Sequence, residues 1–145
     1  MSTCPLCQPQ GETIIWQDQQ CRVILVDDDD YPGYCRVIWQ QHIAEMTDLS
    51  VEQRQHIMSV TYLVERIMRE TLLPHKVNLA SLGNMVPHLH WHVIPRYQDD
   101  AHFPQPVWGA RQRVADGRVL AQRRSQLALF QQKLQASLEL EFHSQ

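Results

Sequence analysis

The sequence predicts an α+β domain with about five antiparallel strands and a main helix packed on one face. Two observations support this class. Short runs of β-branched and aromatic residues are separated by polar turns, which is typical of strands, and one long segment carries apolar residues at helical spacing. The chain has 145 residues, which is enough for one domain with a substantial core.

Five segments have the composition of strands. The first three are separated by polar turns, and we expect them to be antiparallel neighbours. The fourth follows the long helix and leads through a Gly-Asn turn into the fifth. The predicted strands cover residues 13–16, 21–26, 34–39, 76–82 and 88–94.

The main helix is predicted to begin near Ser50 and to end at Pro74. Ser50 and Gln53 form the capping-box pattern, in which each side chain bonds the backbone N–H of the other. Apolar residues at helical spacing between them and Pro74 should bury against the sheet. A second, amphipathic helix is predicted over 118–138, after a polar stretch.

The charge balance excludes some classes of partner. Thirteen basic and sixteen acidic residues give a formal net charge of −3, so the bulk charge favours neither nucleic acid nor an anionic membrane surface. The amino terminus lacks the basic and apolar regions of a signal peptide, and no segment approaches the roughly 18 apolar residues of a membrane span. We therefore expect a cytoplasmic protein without nucleic-acid or membrane partners.

His88, His90 and His92 alternate with apolar residues. In an extended chain this spacing places the three imidazoles on one face, about 6 to 7 Å apart. Three interpretations remain open, namely a packed strand with incidental histidines, a zinc site, and nucleophilic catalysis. The third is favoured because the Gly83 turn can expose backbone N–H groups and the Asn84 amide can donate to a phosphate oxygen.

Residues 86–96 read VPHLHWHVIPR, and they follow Asn78 and the Gly83-Asn84 pair. This pattern resembles the signature of the histidine triad (HIT) superfamily of nucleotide hydrolases and transferases. The resemblance implies a HIT-like fold, with a HIT domain over 1–109 and residues 110–145 in the same unit. It also implies a nucleotide substrate and a homodimer whose two sheets run together. The Pro95-Arg96 ending is closer to the dinucleoside polyphosphate hydrolases than to the phosphoramidases.

The resemblance also implies roles for single residues. His90 would be the nucleophile that attacks the α-phosphorus, giving a nucleotidyl-imidazole intermediate that water then cleaves. His92 would donate to phosphate or leaving-group oxygens, and His88 would orient or ligate. Asp27 occupies the position that binds the ribose hydroxyls in relatives, and Asn78 aligns with an amide that contacts the nucleotide. Turn formation and backbone capping are the alternative roles of these two residues.

The chain departs from the family pattern at two positions. Met85 stands where many relatives have a hydroxyl that donates to the scissile oxygen, and a thioether cannot donate. Tyr34 stands where relatives often have a histidine that supports the first histidine of the triad. His88 should therefore be held by another group.

Cys4 and Cys7 form a C-x-x-C pair. A subset of bacterial histidine triad proteins combines such a pair with two histidines to bind zinc, which here implies His42 and His88 as the other ligands. A closed Cys2His2 set is a structural site, so the chemistry itself would need no cofactor. Redox use or idle cysteines are the alternatives for the pair. The remaining Cys21 and Cys35 should be buried small hydrophobes.

The sequence thus predicts a hydrolase or transferase acting at the α-phosphate of dinucleoside polyphosphates or nucleoside phosphoramidates. A zinc-stapled nucleotide-binding module with negligible turnover is the alternative. A metalloenzyme that uses the histidine row as its metal site is a third interpretation. We expect Trp108 to pack in the core rather than to cover the site or a dimer partner.

Overall fold

A computed structural model of the chain describes residues 3–142 and has a five-stranded antiparallel sheet at its centre. The strands are β1 (Thr13–Gln17), β2 (Cys21–Leu25), β3 (Cys35–Trp39), β4 (Lys76–Ala80) and β5 (His90–Arg96). They lie in the order β1-β2-β3-β5-β4, and every neighbouring pair is antiparallel. The helices are α1 (Val51–Leu72), α2 (Gly117–Arg124) and α3 (Leu127–Glu141). The predicted fold class is confirmed.

The main helix α1 has the predicted ends. Its N-terminus is a reciprocal cap, in which the Gln53 N–H donates to Ser50 Oγ at 3.2 Å and the Ser50 N–H donates to Gln53 Oε1 at 2.9 Å. The helix ends at Leu72, and the next residue, Leu73, has a left-handed backbone with φ 50° directly before Pro74. Where the chain enters β3, Gly33 (φ +97°) passes so close to α1 that a Cβ there would lie 2.3 Å from Leu72 Cδ1.

The two faces of the sheet have different coverings. Side chains such as Val23, Val37 and Val93 point to one face and form the main core with α1 and α3. On the other face, residues 4–7 pack against one end, with Leu6 against Ile24, and residues 97–109 reach the opposite end. β5 therefore presents its histidines between two irregular segments rather than beneath a helix.

The predicted second helix over 118–138 is in fact two helices. They are separated at Ser125 and Gln126, where the Ser125 hydroxyl donates to the Gln122 carbonyl at 2.6 Å. None of residues 122–126 has a buried side chain, so packing against the core does not hold α2 and α3 together as one continuous helix. α3 then packs three fully buried residues against the core: Phe130, Leu134 and Leu138.

Within residues 3–142, no helix has both the length and the apolar character needed to cross a bilayer.

Candidate functional site

β5 places His90 and His92 on the same face of the sheet, because side chains two residues apart in a strand point the same way. Their ring centroids are 4.8 Å apart and the rings are nearly perpendicular. Both side chains are buried, His90 with 8% and His92 with 5% of its surface exposed. The two imidazoles therefore form one unit, held between β3 and β4.

His90 is oriented through one ring nitrogen. Its Nδ1 lies 2.6 Å from the main-chain carbonyl of His88. A carbonyl can only accept, so Nδ1 carries the hydrogen and Nε2 keeps a lone pair. Burial lowers the pKa of His90, although the hydrogen bond to His88 opposes this shift. The ring is thus a neutral imidazole with a nucleophilic Nε2.

His92 is oriented by Tyr34, whose hydroxyl lies 2.7 Å from His92 Nδ1. Burial raises the pKa of Tyr34, so the phenol keeps its proton, while the charge of Arg36 and its hydrogen bond to the phenol act in the opposite direction. A phenol that keeps its proton can donate it in a hydrogen bond to His92 Nδ1. Burial, followed by the charges of His90 and Arg36, lowers the pKa of His92 to about 4. His92 is therefore neutral near pH 7, and in the tautomer that accepts from Tyr34 at Nδ1 the N–H is at Nε2.

His88 lies outside the strand, so the strand predicted over 88–94 begins two residues later than expected. The N–H of His88 donates to the Val86 carbonyl, and the next N–H, that of Leu89, donates to the Ile43 carbonyl. Residues 88 and 89 are thus outside the regular ladder, although the Leu89 carbonyl still accepts from the Trp39 N–H at 3.1 Å. The neighbouring strand β4 is also shorter than predicted at this end of the sheet, because it ends at Ala80 rather than at residue 82.

The ring of His88 is fully buried and engaged on both sides. Its Nε2 donates to the carbonyl of Trp39, so Nδ1 presents a lone pair. That Nδ1 lies 3.5 Å from Cys4 Sγ, 3.4 Å from Cys7 Sγ and 3.2 Å from His42 Nδ1. The structure therefore brings together all four predicted metal ligands.

The spacing of this Cys/His cluster fits a metal ion. The ligand atoms of Cys4, Cys7, His42 and His88 all lie within 4.8 Å of one another. A tetrahedral zinc ion with Zn–S bonds of about 2.3 Å and Zn–N bonds of about 2.0 to 2.1 Å holds its ligand atoms about 3.3 to 3.8 Å apart. The N–N and S–N separations of 3.2 to 3.5 Å are close to that range. The cluster could hold a metal.

A buried arginine supports the cysteine segment. Arg22, with 5% of its surface exposed, donates to the Leu6 carbonyl at 2.8 Å and pairs with Glu12 at 2.8 Å. The N–H groups of Cys7 and Gln8 both donate to the Cys4 carbonyl, which closes the turn between the two thiols. The cysteine turn is thus positioned by protein contacts as well as by its own ligand atoms.

A second group, Asp18, Cys21 and His56, also has ligand atoms within 4.8 Å of one another. Here the carboxylate and the imidazole already pair at 2.7 Å, and burial raises the pKa of the Cys21 thiol. A protonated thiol is a poor metal ligand. Cys21 and Cys35 are both fully buried, as predicted for small hydrophobes.

The predicted nucleotide-binding residues lie on three different segments of the chain. Asp27 is exposed two residues beyond the end of β2, and Asn84 is exposed in the loop before His88. Asn78 lies on β4, where its Oδ1 accepts from Arg96 at 2.8 Å, so its amide N–H groups are the part left for a ligand. Gly83 and His90 both line a cleft of about 230 Å³.

An ion pair that the sequence did not predict joins the last residue of β5 to the loop that follows. Arg96 and Asp100 are both almost fully buried and join through two hydrogen bonds, of 2.8 and 3.1 Å. Asp100 also accepts from three backbone N–H groups, those of Tyr97, His102 and Phe103. Burial alone raises the pKa of Asp100, but these hydrogen bonds outweigh it and lower the pKa to about 2.

This loop carries Trp108 to the histidines. The indole ring lies 5.0 Å from the ring of His92, edge to face, and 51% of the Trp108 surface is exposed. The expectation that Trp108 packs in the core is therefore wrong. A half-exposed ring against His92 forms one wall of the site, and the proline- and aromatic-rich composition of 97–109 was the only sequence signal for it.

Arg36 is another residue that the sequence analysis missed. It lies on β3 directly opposite His92, with Cα partners paired in the antiparallel register. Alternation along β3 offered a signal, because Arg36 interrupts an otherwise apolar strand. Only the register shows which strand it faces.

Comparisons with known proteins agree on the family. A sequence model of the HIT domain matches residues 9–99. A histidine triad protein from Marinobacter aquaeolei is 31% identical, with a TM-score of 0.66 over 85% of this chain and 90% of its own. The AP-4-A phosphorylase of Mycobacterium tuberculosis is 28% identical over 86 residues, which are 55% of this chain and 44% of that protein. The match thus spans less than half of that curated relative.

A Zn-bound histidine triad family protein from Mycobacterium smegmatis has the same fold. It is 22% identical, with a TM-score of 0.59 over 90% of this chain and 97% of its own.

Proposed function

The chain belongs to the HIT domain family, and we propose that it is a hydrolase or transferase acting at the α-phosphate of dinucleoside polyphosphates or nucleoside phosphoramidates. One observation carries this proposal. His90 is fixed through Nδ1 by a carbonyl, which leaves a nucleophilic Nε2 beside the N–H of His92. The sequence match to an AP-4-A phosphorylase supports a nucleotide as the substrate.

The proposed reaction has two steps. In the first, Nε2 of His90 attacks the α-phosphorus, and a P–N bond forms while the bond to the leaving group breaks with its electron pair. A leaving phosphate departs as an anion, and a leaving nitrogen takes up a proton from solvent. The N–H of His92 donates a hydrogen bond to a phosphate or leaving-group oxygen as negative charge develops. In the second step, water adds to phosphorus and gives up one proton to solvent, and the P–N bond breaks with its electron pair returning to Nε2. This releases the nucleoside monophosphate and restores neutral His90. Another acceptor in place of water gives transfer.

We propose that three polar residues bind the nucleotide. Asp27 is exposed at the end of β2, and in the part of the chain that the structure describes no side chain bonds its carboxylate, so it can accept the ribose hydroxyls. Asn78 can donate from the amide nitrogen that Arg96 does not use. Asn84 can donate its amide to a phosphate oxygen next to the Gly83 turn.

We propose that Cys4, Cys7, His42 and His88 bind a structural zinc ion. The separations of their ligand atoms and the donor set support this, and a relative from Mycobacterium smegmatis with the same fold is Zn-bound. When bound, the ion would tie the N-terminal segment to the loop before β5 and contribute directly to folding. His88 would then serve structure, while the reaction would rest on His90 and His92.

We also propose a homodimer. β4 is an edge strand of the sheet, and its outer edge is where a second sheet can continue the hydrogen-bonded ladder. Light scattering at several concentrations measures this directly, and a monomer at every concentration excludes it.

Mass spectrometry after a quench in denaturant at alkaline pH, with His90→Ala as the test variant, tests the proposed function. We expect wild-type protein mixed with a dinucleoside polyphosphate to carry one nucleoside monophosphate on His90, through an acid-labile bond. His90→Ala should carry none and should lose about 10³-fold or more in kcat while still binding nucleotide. His75→Ala is the matched control, because His75 is an exposed histidine outside the site. Turnover by His90→Ala at the wild-type rate would refute the mechanism.

A nucleotide-binding module with negligible turnover is the second candidate. Met85 favours it, because a thioether stands where relatives have a donating hydroxyl, and 95% of its surface is exposed. This candidate predicts that AMP binds to the wild-type protein while neither adduct nor product forms in a single-turnover quench.

A further inference from the structure

We propose that Arg36 binds the phosphate next to the α-phosphate, on the leaving-group side, and so makes the site selective for nucleoside polyphosphates over phosphoramidates. This inference rests on the proposed function of the histidine pair. It adds a residue outside the histidine motif and chooses between the two substrate classes.

The register of the sheet places Arg36 beside the reacting groups. Arg36 pairs with His92, and the adjacent pair on the same face is Ile38 with His90. Arg36 is therefore directly opposite one histidine and diagonal to the other, distances that a long side chain spans easily. Its guanidinium carbon lies 5.8 Å from the centre of the Tyr34 ring, and Tyr34 bonds His92. Arg36, Tyr34 and His92 thus line one side of the site.

The charge of Arg36 is not matched by a carboxylate. Arg22 and Arg96, the other two arginines in the strands, each pair with an acidic side chain at 2.8 Å. Among residues 3–142, no carboxylate lies within 4.0 Å of Arg36. Its Nε is buried and has no hydrogen-bond acceptor. A buried donor without an acceptor is unfavourable, and a phosphate oxygen removes that deficit.

The position of this charge matters for the leaving group. An amine released from a phosphoramidate must gain a proton, whereas a phosphate released from an anhydride leaves as an anion and needs positive charge. Met85 has no proton to donate, and His92, with a pKa of about 4, is neutral near pH 7. A guanidinium keeps its charge at any working pH and matches phosphate geometry. The groups present therefore favour release of a phosphate.

Nucleotide binding tests this inference without requiring turnover. We expect the wild-type protein to bind ADP at least tenfold more tightly than AMP, because only ADP places a second phosphate at Arg36. Arg36→Met should remove most of that preference and change AMP affinity by less than about threefold. Arg36→Lys keeps the charge but not the forked geometry, so it should retain part of the preference. Titration calorimetry measures all of these affinities.

Turnover adds a second readout. With a dinucleoside polyphosphate, Arg36→Met should lower kcat/KM by about tenfold or more, whereas with a nucleoside phosphoramidate the change should stay within about threefold. Arg69→Met is the matched control, since Arg69 is an exposed arginine on α1. Arg69→Met should leave kcat/KM unchanged for both substrates. Melting curves of each variant establish that the protein is folded.

The outcomes separate this inference from the proposed function. If both nucleotides bind and Arg36→Met leaves the ADP-to-AMP ratio unchanged, Arg36 does not bind the second phosphate and the nucleotide site stands. Equal loss of kcat/KM on both substrate classes also overturns selectivity by Arg36. If neither nucleotide binds to folded wild-type protein, the proposed function fails, and this inference fails with it.

Discussion

His88 and His90 are two residues apart, but the protein uses their rings differently. Both ring nitrogens of His88 face protein groups, Nε2 at the Trp39 carbonyl and Nδ1 at the Cys/His cluster. His90 and His92 use only Nδ1 internally, and in the described part of the chain no protein group bonds either Nε2. A ring with both nitrogens engaged is fixed in place, whereas a ring with one nitrogen left is oriented and still able to react.

This contrast predicts that the Cys/His cluster contributes to stability more than to chemistry. Cys4→Ser should release the metal from protein that otherwise purifies with about one zinc per chain. A metal present at 100 times its Kd stabilises the fold by about 2.7 kcal/mol, so the melting temperature should fall by roughly 5 to 10 °C. Below that temperature, His90 should still form its adduct.

Metal analysis and calorimetry measure both effects, with the exposed Thr3 as Thr3→Ala for control. Protein that is isolated without zinc, takes none up and melts unchanged as Cys4→Ser would remove the structural role assigned to the cluster.

The contribution of the loop that carries Trp108 to the stability of the fold should depend on pH. The pKa of Asp100 is about 2 in the folded chain, below its ordinary value of 3.8. The carboxylate therefore stabilises the fold above about pH 4, and that stabilisation is lost as the pH falls through 2. Asp100→Asn should cost about 2 kcal/mol at pH 7 and progressively less toward pH 2.

Denaturant unfolding at several pH values measures this difference, and Trp108 fluorescence reports on the loop. Asp99→Asn is the control, because 57% of the Asp99 side chain is exposed. A penalty that is the same at pH 7 and pH 3 would mean that ionisation of Asp100 is not what holds the loop.

Asp27 should affect nucleotide binding and not stability. Charge-assisted hydrogen bonds to two ribose hydroxyls imply that Asp27→Ala weakens AMP binding by at least tenfold, about 1.4 kcal/mol. A 2′,3′-dideoxy nucleotide should lose a similar amount on the wild-type protein. Asp29→Ala, at a neighbouring exposed carboxylate, is the control. Equal binding of ribo and dideoxy nucleotides by the wild-type protein would take Asp27 out of the site.

Local patterns were sufficient to predict much of this architecture. The capping box at Ser50 and the stop at Pro74 bounded α1 because such signals act within a few residues. The resemblance of residues 86–96 to the HIT signature indicated the pair of His90 and His92. Together with the C-x-x-C pair, it also indicated the Cys/His cluster around His88. These features depend on sequence neighbours or on a motif of fixed spacing, so a single sequence contains them.

What the sequence did not predict depends on long-range geometry. Arg36 faces His92 only because β3 pairs with β5 in one register, and a shift by one residue would have turned it into the core. Trp108 reaches His92 only because Arg96 and Asp100 fold the loop back. Asp100 is four residues after Arg96 outside any helix, a spacing that carries no signal by itself.

The carbonyl that orients His90 belongs to the main chain of His88. A substitution at residue 88 removes the imidazole but leaves the main-chain carbonyl that orients His90. Loss of activity in His88→Ala therefore has two possible origins, a displaced loop or a missing ligand, and neither is a chemical role for the imidazole. Scanning the three histidines with alanine would count three catalytic residues where the proposed mechanism uses two.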